Sequence, residues 1–402
     1  MGCRSHSSRR WCRTLKTVSV LGSTGSVGSQ AIDVIMGNPN LKAVGLAAGT
    51  NWRTVLRQAK ILGIRKVALS NESAAREANR NKNAMGLENL EVFFGQEGLC
   101  QIASLPEADT VLHAIPGFEG IRPLLASLHG GKQVALTGKE SLVSAGELIR
   151  PFLEQGPNSI IPVDSEHSAI FQCLRGENRL DIDHIILTAS GGAFRDLGLA
   201  ELERIGPDDA LKHPTWKMGP KVTVDSATLF NKTLEVMEAH YLFGIGYDKI
   251  KVTIHRESIV HSLVTFKDGS TMAQLGRPDM RLPIAYALNY PERQGGVTLP
   301  LGPALGTLTF HEPDFERFPC LGLGYEAGRI GGTAPCVLSM ADEIVVREFL
   351  AGRVPFTKIY IILKTVLDRY QPKSPDSVEI LEQEALWAES ETRKTIHMIM
   401  GR

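Results

Sequence analysis

The sequence predicts an α/β protein with an N-terminal doubly wound parallel sheet, a second α/β domain, and a closing bundle of helices. Three features of the chain lead there. Short apolar runs alternate with helical patterns from residue 17 to about 163. The runs become fewer and longer from 183 to about 290. Beyond about 325 only helical periodicity remains.

The N-terminal runs are TVSVL (17–21), AVGLA (43–47), KVAL (66–69), EVFF (91–94), TVLHAI (110–115), KQVAL (132–136) and SIIPV (159–163). Between them lie stretches such as 51–62, where Val55, Leu56, Ala59 and Leu62 recur on one helical face. Strand, helix and strand repeated in this way build a parallel sheet, so a first domain is expected over 17–163. A second α/β domain is expected over 164–290. Within it the Gly/Pro-punctuated segment 206–220 reads as a mobile loop. Residues 291–325 are rich in Gly and Pro and read as a linker. A helical domain over 326–402 follows, with amphipathic patterns at 336–350, 356–370 and 376–399. A chain of 402 residues is long enough for two or three such cores.

Composition narrows the partners. Lys plus Arg and Asp plus Glu number 44 each, and no block of like charge suits a nucleic acid or a membrane surface. No apolar run approaches the roughly 20 residues needed to cross a bilayer. The expected partner is therefore a small molecule. The six cysteines form no Cys-x-x-Cys pair, which argues for a reducing compartment and against structural zinc. Residues 1–16 are basic and Ser-rich, with no acidic residue and no apolar run of a secretion signal. They read as a disordered extension on a cytoplasmic protein, with plastid-type organelle targeting as the minority reading.

A dinucleotide site is expected after the first strand. GSTGSVG places Gly22, Gly25 and Gly28 around Thr24, Ser26 and Val27, and a helical pattern follows. Glycines there permit a tight turn and let backbone N–H groups meet a pyrophosphate at a helix N-terminus. An ordinary Gly-rich turn is the alternative, but the position at the head of a strand–helix series favours binding. NAD sites usually carry an acidic residue about 20 positions past the glycines. None occurs between Asp33 and Glu72, whereas Arg53 and Arg57 do. NADPH is therefore favoured over NADH, with AGTN (48–51, including Gly49, Thr50 and Asn51) as the adenosine-side turn.

Two polar clusters carry the chemistry. In DSEHSAIFQ (164–172) Asp164 and Glu166 share a face if the segment is extended, and two convergent carboxylates suit a hard cation such as Mg²⁺ or Mn²⁺. A helix N-cap by Asp164 or Ser165 is the equally weighted alternative. In TVDSATLFNKTLEVMEAHYLF (223–243) Asn231, Lys232 and Glu235 share a helical face. Lys232 with Glu235 alone would be a surface pair, but Ser226, Asn231 and Lys232 together suit a phosphate at the start of a helix.

These blocks, with GKESLV (138–143), SGGAFR (190–195), HPTWKMG (213–219), HSLV (261–264) and PDMRLPI (278–284), resemble the 1-deoxy-D-xylulose 5-phosphate reductoisomerase family over nearly the whole chain. The resemblance implies a Rossmann-like first domain and a catalytic second one. It implies Asp164, Glu166 and Glu235 as ligands of Mg²⁺ or Mn²⁺, with Co²⁺ as a further candidate. Ser165, Glu166, Ser190, His213, Trp216, Ser226, Asn231, Lys232 and Glu235 would hold a phosphorylated keto-sugar. Lys139 would lie beside its reacting oxygens, His213 would reach the substrate, and Trp216 would cover the site from the 206–220 loop. Gly138 and Gly219 fall on the cofactor side. The family reaction it implies is a retro-aldol then aldol rearrangement followed by reduction, carried out by a homodimer. Four positions depart from the family pattern: Gly138 stands for the usual Asn, Thr50 for a frequent Lys, and Ala189 and Ala193 for a Gly and a Pro.

The residues speak against two rival functions. Another NADP-linked dehydrogenase would need a nucleophilic Cys in a polar site, and Cys173 in the apolar-flanked IFQCL reads instead as core. An NADPH-sensing module without turnover would need neither three metal-ligating carboxylates nor a phosphate cluster.

Overall fold

The computed structural model describes residues 15–156, 159–212, 216 and 218–401. The reading of 1–16 as a disordered extension falls almost entirely outside the described residues. The first layer comprises β1 (Lys16–Leu21), α1 (Ser26–Met36), β2 (Leu41–Ala48), α2 (Trp52–Leu62), β3 (Lys66–Leu69), α3 (Glu72–Asn81), β4 (Glu91–Phe94), α4 (Gly95–Ala103), β5 (Thr110–His113), α5 (Ile121–His129), β6 (Gln133–Leu136), α6 (Lys139–Gln155) and β7 (Ile160–Pro162). The seven strands lie in the order β4-β3-β2-β1-β5-β6-β7, all parallel. Strand order reverses between β1 and β5, so the C-terminal end of β1 opens on the crevice where such sheets bind ligands.

Alternation along β1 shows why helices cover both faces. Val18 and Val20 enter one core with Ile32 and Ile35 of α1. Leu21 points the other way and packs with Leu99 and Ile102 of α4. Between β1 and α1, Gly22 has φ +81°, and a Cβ there would lie 2.2 Å from the Ala114 carbonyl oxygen. A Cβ on Gly28 would lie 2.1 Å from the Gly22 oxygen. Only glycine permits this approach of helix to strand.

The chain continues through α7 (Ser165–Cys173), β8 (Ile182–Ala189), α8 (Leu199–Leu202), α9 (Pro207–Ala210), α10 (Pro220–Ala227), α11 (Phe230–Phe243), β9 (Ile250–Ile254), β10 (Val260–Phe266), β11 (Thr271–Leu275) and α12 (Arg281–Asn289). A second sheet runs β11-β10-β8-β9. In it β10 is antiparallel to β8 and β11, and β8 is parallel to β9. The segment read as a mobile loop, 206–220, carries a turn of helix, α9, whose N-cap Gly206 donates its N–H to Asp209 Oδ2 at 3.2 Å.

The closing helices are α13 (Cys320–Ile330), α14 (Ala334–Leu350), α15 (Lys358–Arg369) and α16 (Val378–Met400). Helix α13 begins inside the stretch expected to be linker (291–325), because Cys320, Leu321 and Leu323 give it a buried face. Periodicity hid this, since Gly322 and Gly324 punctuate it, and Gly324 is needed where a Cβ would lie 2.6 Å from the Thr233 carbonyl oxygen of α11. Helix α14 is apolar around most of its girth, and it packs on α15, α16, α6 and α10. The closing helices thus form one wall of the molecule's centre. Among the described residues no helix is long and apolar enough to cross a membrane.

Candidate active site

A cleft of about 360 Å³ opens where the C-terminal ends of β1, β5 and β6 face β8, α10 and α11. Its wall includes Gly25, Ser26 and Val27 of the Gly-rich turn, Gly138, Lys139, Asp164, Ser165, Glu166, Ser190, Trp216, Gly219, Ser226, Asn231, Lys232 and Glu235. Residues far apart in sequence thus converge. His213 lies outside the described residues.

Asp164 ends β7's exit and caps α7: its Oδ1 accepts from the Glu166 N–H at 3.3 Å. The segment is therefore helical from Ser165 rather than extended. The cap and the cleft wall share this geometry, since the capped turn leaves both Asp164 and Glu166 lining the cleft. Glu235 comes from α11 and is 1 % exposed. One carboxylate oxygen each from Asp164, Glu166 and Glu235 lie within 4.8 Å of one another.

Two ammonium groups hold this triad. Lys139 at the first turn of α6 donates to Asp164 Oδ2 at 2.6 Å, Glu235 Oε1 at 2.9 Å and Asn231 Oδ1 at 3.0 Å. Lys232 donates to Glu166 Oε1 at 3.2 Å and pairs with Glu235 Oε2. Asn231 donates to Glu235 Oε1 at 2.5 Å, and Ser165 Oγ donates to Glu166 Oε2 at 2.5 Å. Lys232 and Glu235 are both buried, so their pairing is no surface ornament.

Burial and the neighbouring Glu235 charge push the Glu166 carboxyl up to about 7. Burial opposes the Asp164 charge as well, but Lys139 and His167 outweigh it and hold that carboxyl well below its usual range. Burial disfavours the Lys139 charge, yet Asp164 and Glu235 hold it well above its usual range. An all-oxygen donor set whose members repel each other fits a hard divalent ion, which would relieve that repulsion.

Behind the triad stands a pair that sequence reasoning missed. His167 Nδ1 lies 3.1 Å from Asp164 Oδ1 and 3.4 Å from Glu238 Oε2, and its Nε2 lies 2.9 Å from the Glu235 carbonyl oxygen. Both residues are fully buried. The available signal was spacing: His167 is three residues after Asp164, and Glu238 three after Glu235, so each pair shares a helical face. His255, Ser258 and His261 also line the cleft and were not singled out. Burial lowers the His261 imidazole to about 4, so it is neutral near pH 7, and its ring centroid stands 6.4 Å from that of Trp216.

One strained residue lies between Ser226 and Asn231. Leu229 joins α10 to α11 at φ +60°, a conformation unfavourable for a branched residue. It brings Ser226 round to the start of α11, where Asn231 and Lys232 stand. Ser190 follows β8; Arg195 donates to its carbonyl oxygen at 2.7 Å. Gly192, at φ +74°, lets that loop close on α10, for a Cβ would lie 2.4 Å from the Ser226 oxygen.

At the Gly-rich turn, α1 has Gly25 as its N-cap and no side-chain cap, so the N–H groups of its first turn are free to meet an anion. Gly25, Ser26 and Val27 line the cleft, whereas Gly22 and Gly28 serve the backbone as described above. Thr24 is half-buried in the turn. Gly49, Thr50 and Asn51 are exposed at the neighbouring end of β2 and are not part of the cleft wall. Asn51 caps α2, accepting from the Thr54 N–H at 3.2 Å. Arg53 stacks over the Trp52 ring at 4.4 Å. Cys173 is buried, and burial pushes its thiol up to about 11, which is unsuited to a nucleophile.

Comparison with known proteins places these features in company. The family model described as 1-deoxy-D-xylulose 5-phosphate reductoisomerase matches residues 18–146, and two models of that enzyme's C-terminal domain match 160–243 and 275–394. A 1-deoxy-D-xylulose 5-phosphate reductoisomerase of Pelotomaculum thermopropionicum is 48% identical over 385 residues, covering 95% of this chain and 99% of the relative. One of Desulforamulus reducens is 48% identical over 387 residues, with the same coverage of each. The Zymomonas mobilis enzyme in complex with NADPH superposes with a TM-score of 0.88 at 37% identity, covering 95% of this chain and 99% of that one. A DOX-P reductoisomerase in complex with NADPH, fosmidomycin and magnesium gives 0.89 at 35% identity, covering 96% and 98%.

Proposed function

The chain belongs to the 1-deoxy-D-xylulose 5-phosphate reductoisomerase family, and from that premise we infer how its residues divide the reaction. It is an NADPH- and divalent-metal-dependent oxidoreductase that converts 1-deoxy-D-xylulose 5-phosphate to 2-C-methyl-D-erythritol 4-phosphate, a step of isoprenoid biosynthesis. The observation that carries the assignment of roles is the convergence of Asp164, Glu166 and Glu235 within 4.8 Å beside the Ser226, Asn231 and Lys232 donors.

When bound, Mg²⁺ or Mn²⁺ on the three carboxylates supplies Lewis-acid stabilisation of charge on the substrate's adjacent oxygens, and NADPH supplies the hydride. The chain's own part is positioning and electrostatics. Ser190, Ser226, Asn231 and Lys232 hold the phosphate end; the Lys232 ammonium adds charge-assisted donation. Lys139 presents a fixed cation to the reacting oxygens, where negative charge develops in rearrangement and reduction alike. Ser165 bonds Glu166, and His167 fixes Asp164 and the Glu235 backbone, so the ligands are oriented before substrate arrives. Trp216, Met218 and the neutral His261 give the cleft an apolar cover that keeps water from the reacting carbons. His213 completes the substrate contacts in this reading.

The same reading gives the Gly25–Gly28 turn to the pyrophosphate of NADPH, with Gly49, Thr50 and Asn51 beside the adenosine and Gly138 and Gly219 toward the nicotinamide. It divides the chain into a cofactor domain (17–163), a catalytic domain (164–290) and a helical region from α13 onward. It also carries a homodimer and a cytoplasmic location, the former checked by sedimentation. Steady-state rates with 1-deoxy-D-xylulose 5-phosphate test the function: NADPH should exceed NADH in kcat/KM by about a hundredfold or more, roughly 3 kcal/mol of discrimination against the missing 2′-phosphate. Equal efficiency would overturn the cofactor assignment, and no turnover with either would overturn the function.

A further inference from the structure

A second buried charge cluster lies behind the cleft, and the reaction as described does not use it. The Lys221 ammonium, on the first turn of α10, is 2.6 Å from Asp225 Oδ2, 2.7 Å from Asp342 Oδ2 and 4.0 Å from Glu140 Oε1. Its Nζ is buried, and it stands 5.8 Å from the ring of Phe230, the first residue of α11. Asp342, fully buried, belongs to α14 of the closing helices; Asp225 is 1 % exposed. Four helices therefore meet at one ammonium group.

Glu140 lines the cleft itself, and two further members of the cluster are covalent neighbours of it. Glu140 follows Lys139, Asp225 precedes Ser226, and Lys221 precedes Val222, which lines the cleft as Ser226 does. Only Asp342 has no such neighbour, so it is the fixed point to which the others are tied. A buried ion pair is a weak source of stability, because desolvation offsets its attraction; its best-supported use is to fix one arrangement among several. Here three carboxylates surround one cation; burial raises both the Asp225 and the Asp342 carboxyl above their usual range, aided by the Asp342 charge at Asp225 and by the Glu140 charge at Asp342. Such a cluster is a poor means of holding helices together and a good means of holding them in register.

We propose that Lys221 and Asp342 form a positioning pair that pins α10 to α14, so that Ser226 meets the substrate phosphate at a fixed span from Lys139. The C-terminal helices then belong to the substrate site although no residue of theirs enters it. This rests on the substrate reading above, and wild-type turnover of 1-deoxy-D-xylulose 5-phosphate establishes that reading separately.

Asp342→Asn tests the pair while leaving Lys221 its partner Asp225. KM for the sugar phosphate should rise about tenfold with kcat and KM for NADPH within about twofold of wild type, the pattern of lost ground-state binding. Because the pair acts through Ser226, the same change in a Ser226→Ala background should alter KM by less than about twofold, a coupling that a merely structural residue would not show. Lys221→Arg keeps the charge but spreads it over a planar fork, and should repeat the KM-selective loss in a folded protein. A normal substrate KM in Asp342→Asn or Lys221→Arg, or full independence from Ser226→Ala, overturns the proposal.

Discussion

Replacing Glu235 with Gln isolates one carboxylate without changing shape. In the folded chain its Oε1 accepts from Lys139 at 2.9 Å and Asn231 at 2.5 Å, and its Oε2 pairs with Lys232. Neither ammonium is stranded by the change: Lys139 keeps Asp164 at 2.6 Å and Lys232 keeps Glu166 at 3.2 Å. Gln keeps one acceptor oxygen, while the amide nitrogen in place of the other cannot accept, so the bonds on one side are lost and those on the other meet a weaker, uncharged acceptor, at about 1 kcal/mol each. Part of that is returned, because Glu235 is a principal charge pushing the Glu166 carboxyl up. The net cost to the fold should therefore stay within about 1–2 kcal/mol, a shift of a few degrees in Tm. The cost to a divalent ion is larger, since one of three anionic ligands is lost in a buried site. A loss of about 3 kcal/mol, taken at the upper end for a contact to a charged group, is more than a hundredfold in kcat/KM. NADPH absorbance decay at a series of Mg²⁺ concentrations measures this, with a thermal melt as the fold control. Activity within threefold of wild type at unchanged Mg²⁺ dependence would refute ligation by Glu235. A collapse in Tm would show that the carboxylate's role is structural.

Trp216→Ala should raise KM for the sugar phosphate about tenfold, roughly 1.4 kcal/mol of lost apolar cover, with little change in Tm; a normal KM with a drop worth about 3–5 kcal/mol would place the ring in the core instead. His113 provides a pH test away from the carboxylate triad. It is fully buried, and its Nε2 bonds the Gly120 carbonyl at 2.9 Å; burial lowers the imidazole to about 4. The folded value lies below the 6.5 of the free group, so the unfolded chain binds a proton first as pH falls. The stability from keeping this ring neutral is intact above about 6.5 and is lost progressively down to about 4, in total about 3 kcal/mol. Urea unfolding at pH 7 and pH 5 should show a smaller decline for His113→Gln than for wild type. Parallel declines would mean the ring does not carry the effect.

Much of the fold was legible because parallel strands buried on both faces read as short apolar runs. KVAL and EVFF coincide with β3 and β4 to the residue. Helix α13 escaped notice because its glycines, which a close crossing of α11 requires, look like loop punctuation in one dimension. In the cleft, the convergence of Asp164 and Glu166 was expected for a partly mistaken reason. Extended geometry was weighed against a cap, yet the cap itself aims both carboxylates. Glu235 gave no local sign of ligation and came from the family likeness alone. For His167 and Glu238 spacing placed each on a face with a carboxylate but could not show that they meet, and the Lys221–Asp342 pair left no trace, because both contacts join helices more than 60 residues apart.

On the proposed ligation, one constellation, Asp164, Glu166 and Glu235, makes turnover depend on a divalent ion. The direct measurement is NADPH oxidation by 1-deoxy-D-xylulose 5-phosphate after exhaustive treatment with EDTA, followed by stepwise return of Mg²⁺ or Mn²⁺. The rate should fall to background on chelation and recover saturably with either ion. Full activity in the chelated enzyme, with no response to added metal, would contradict the account.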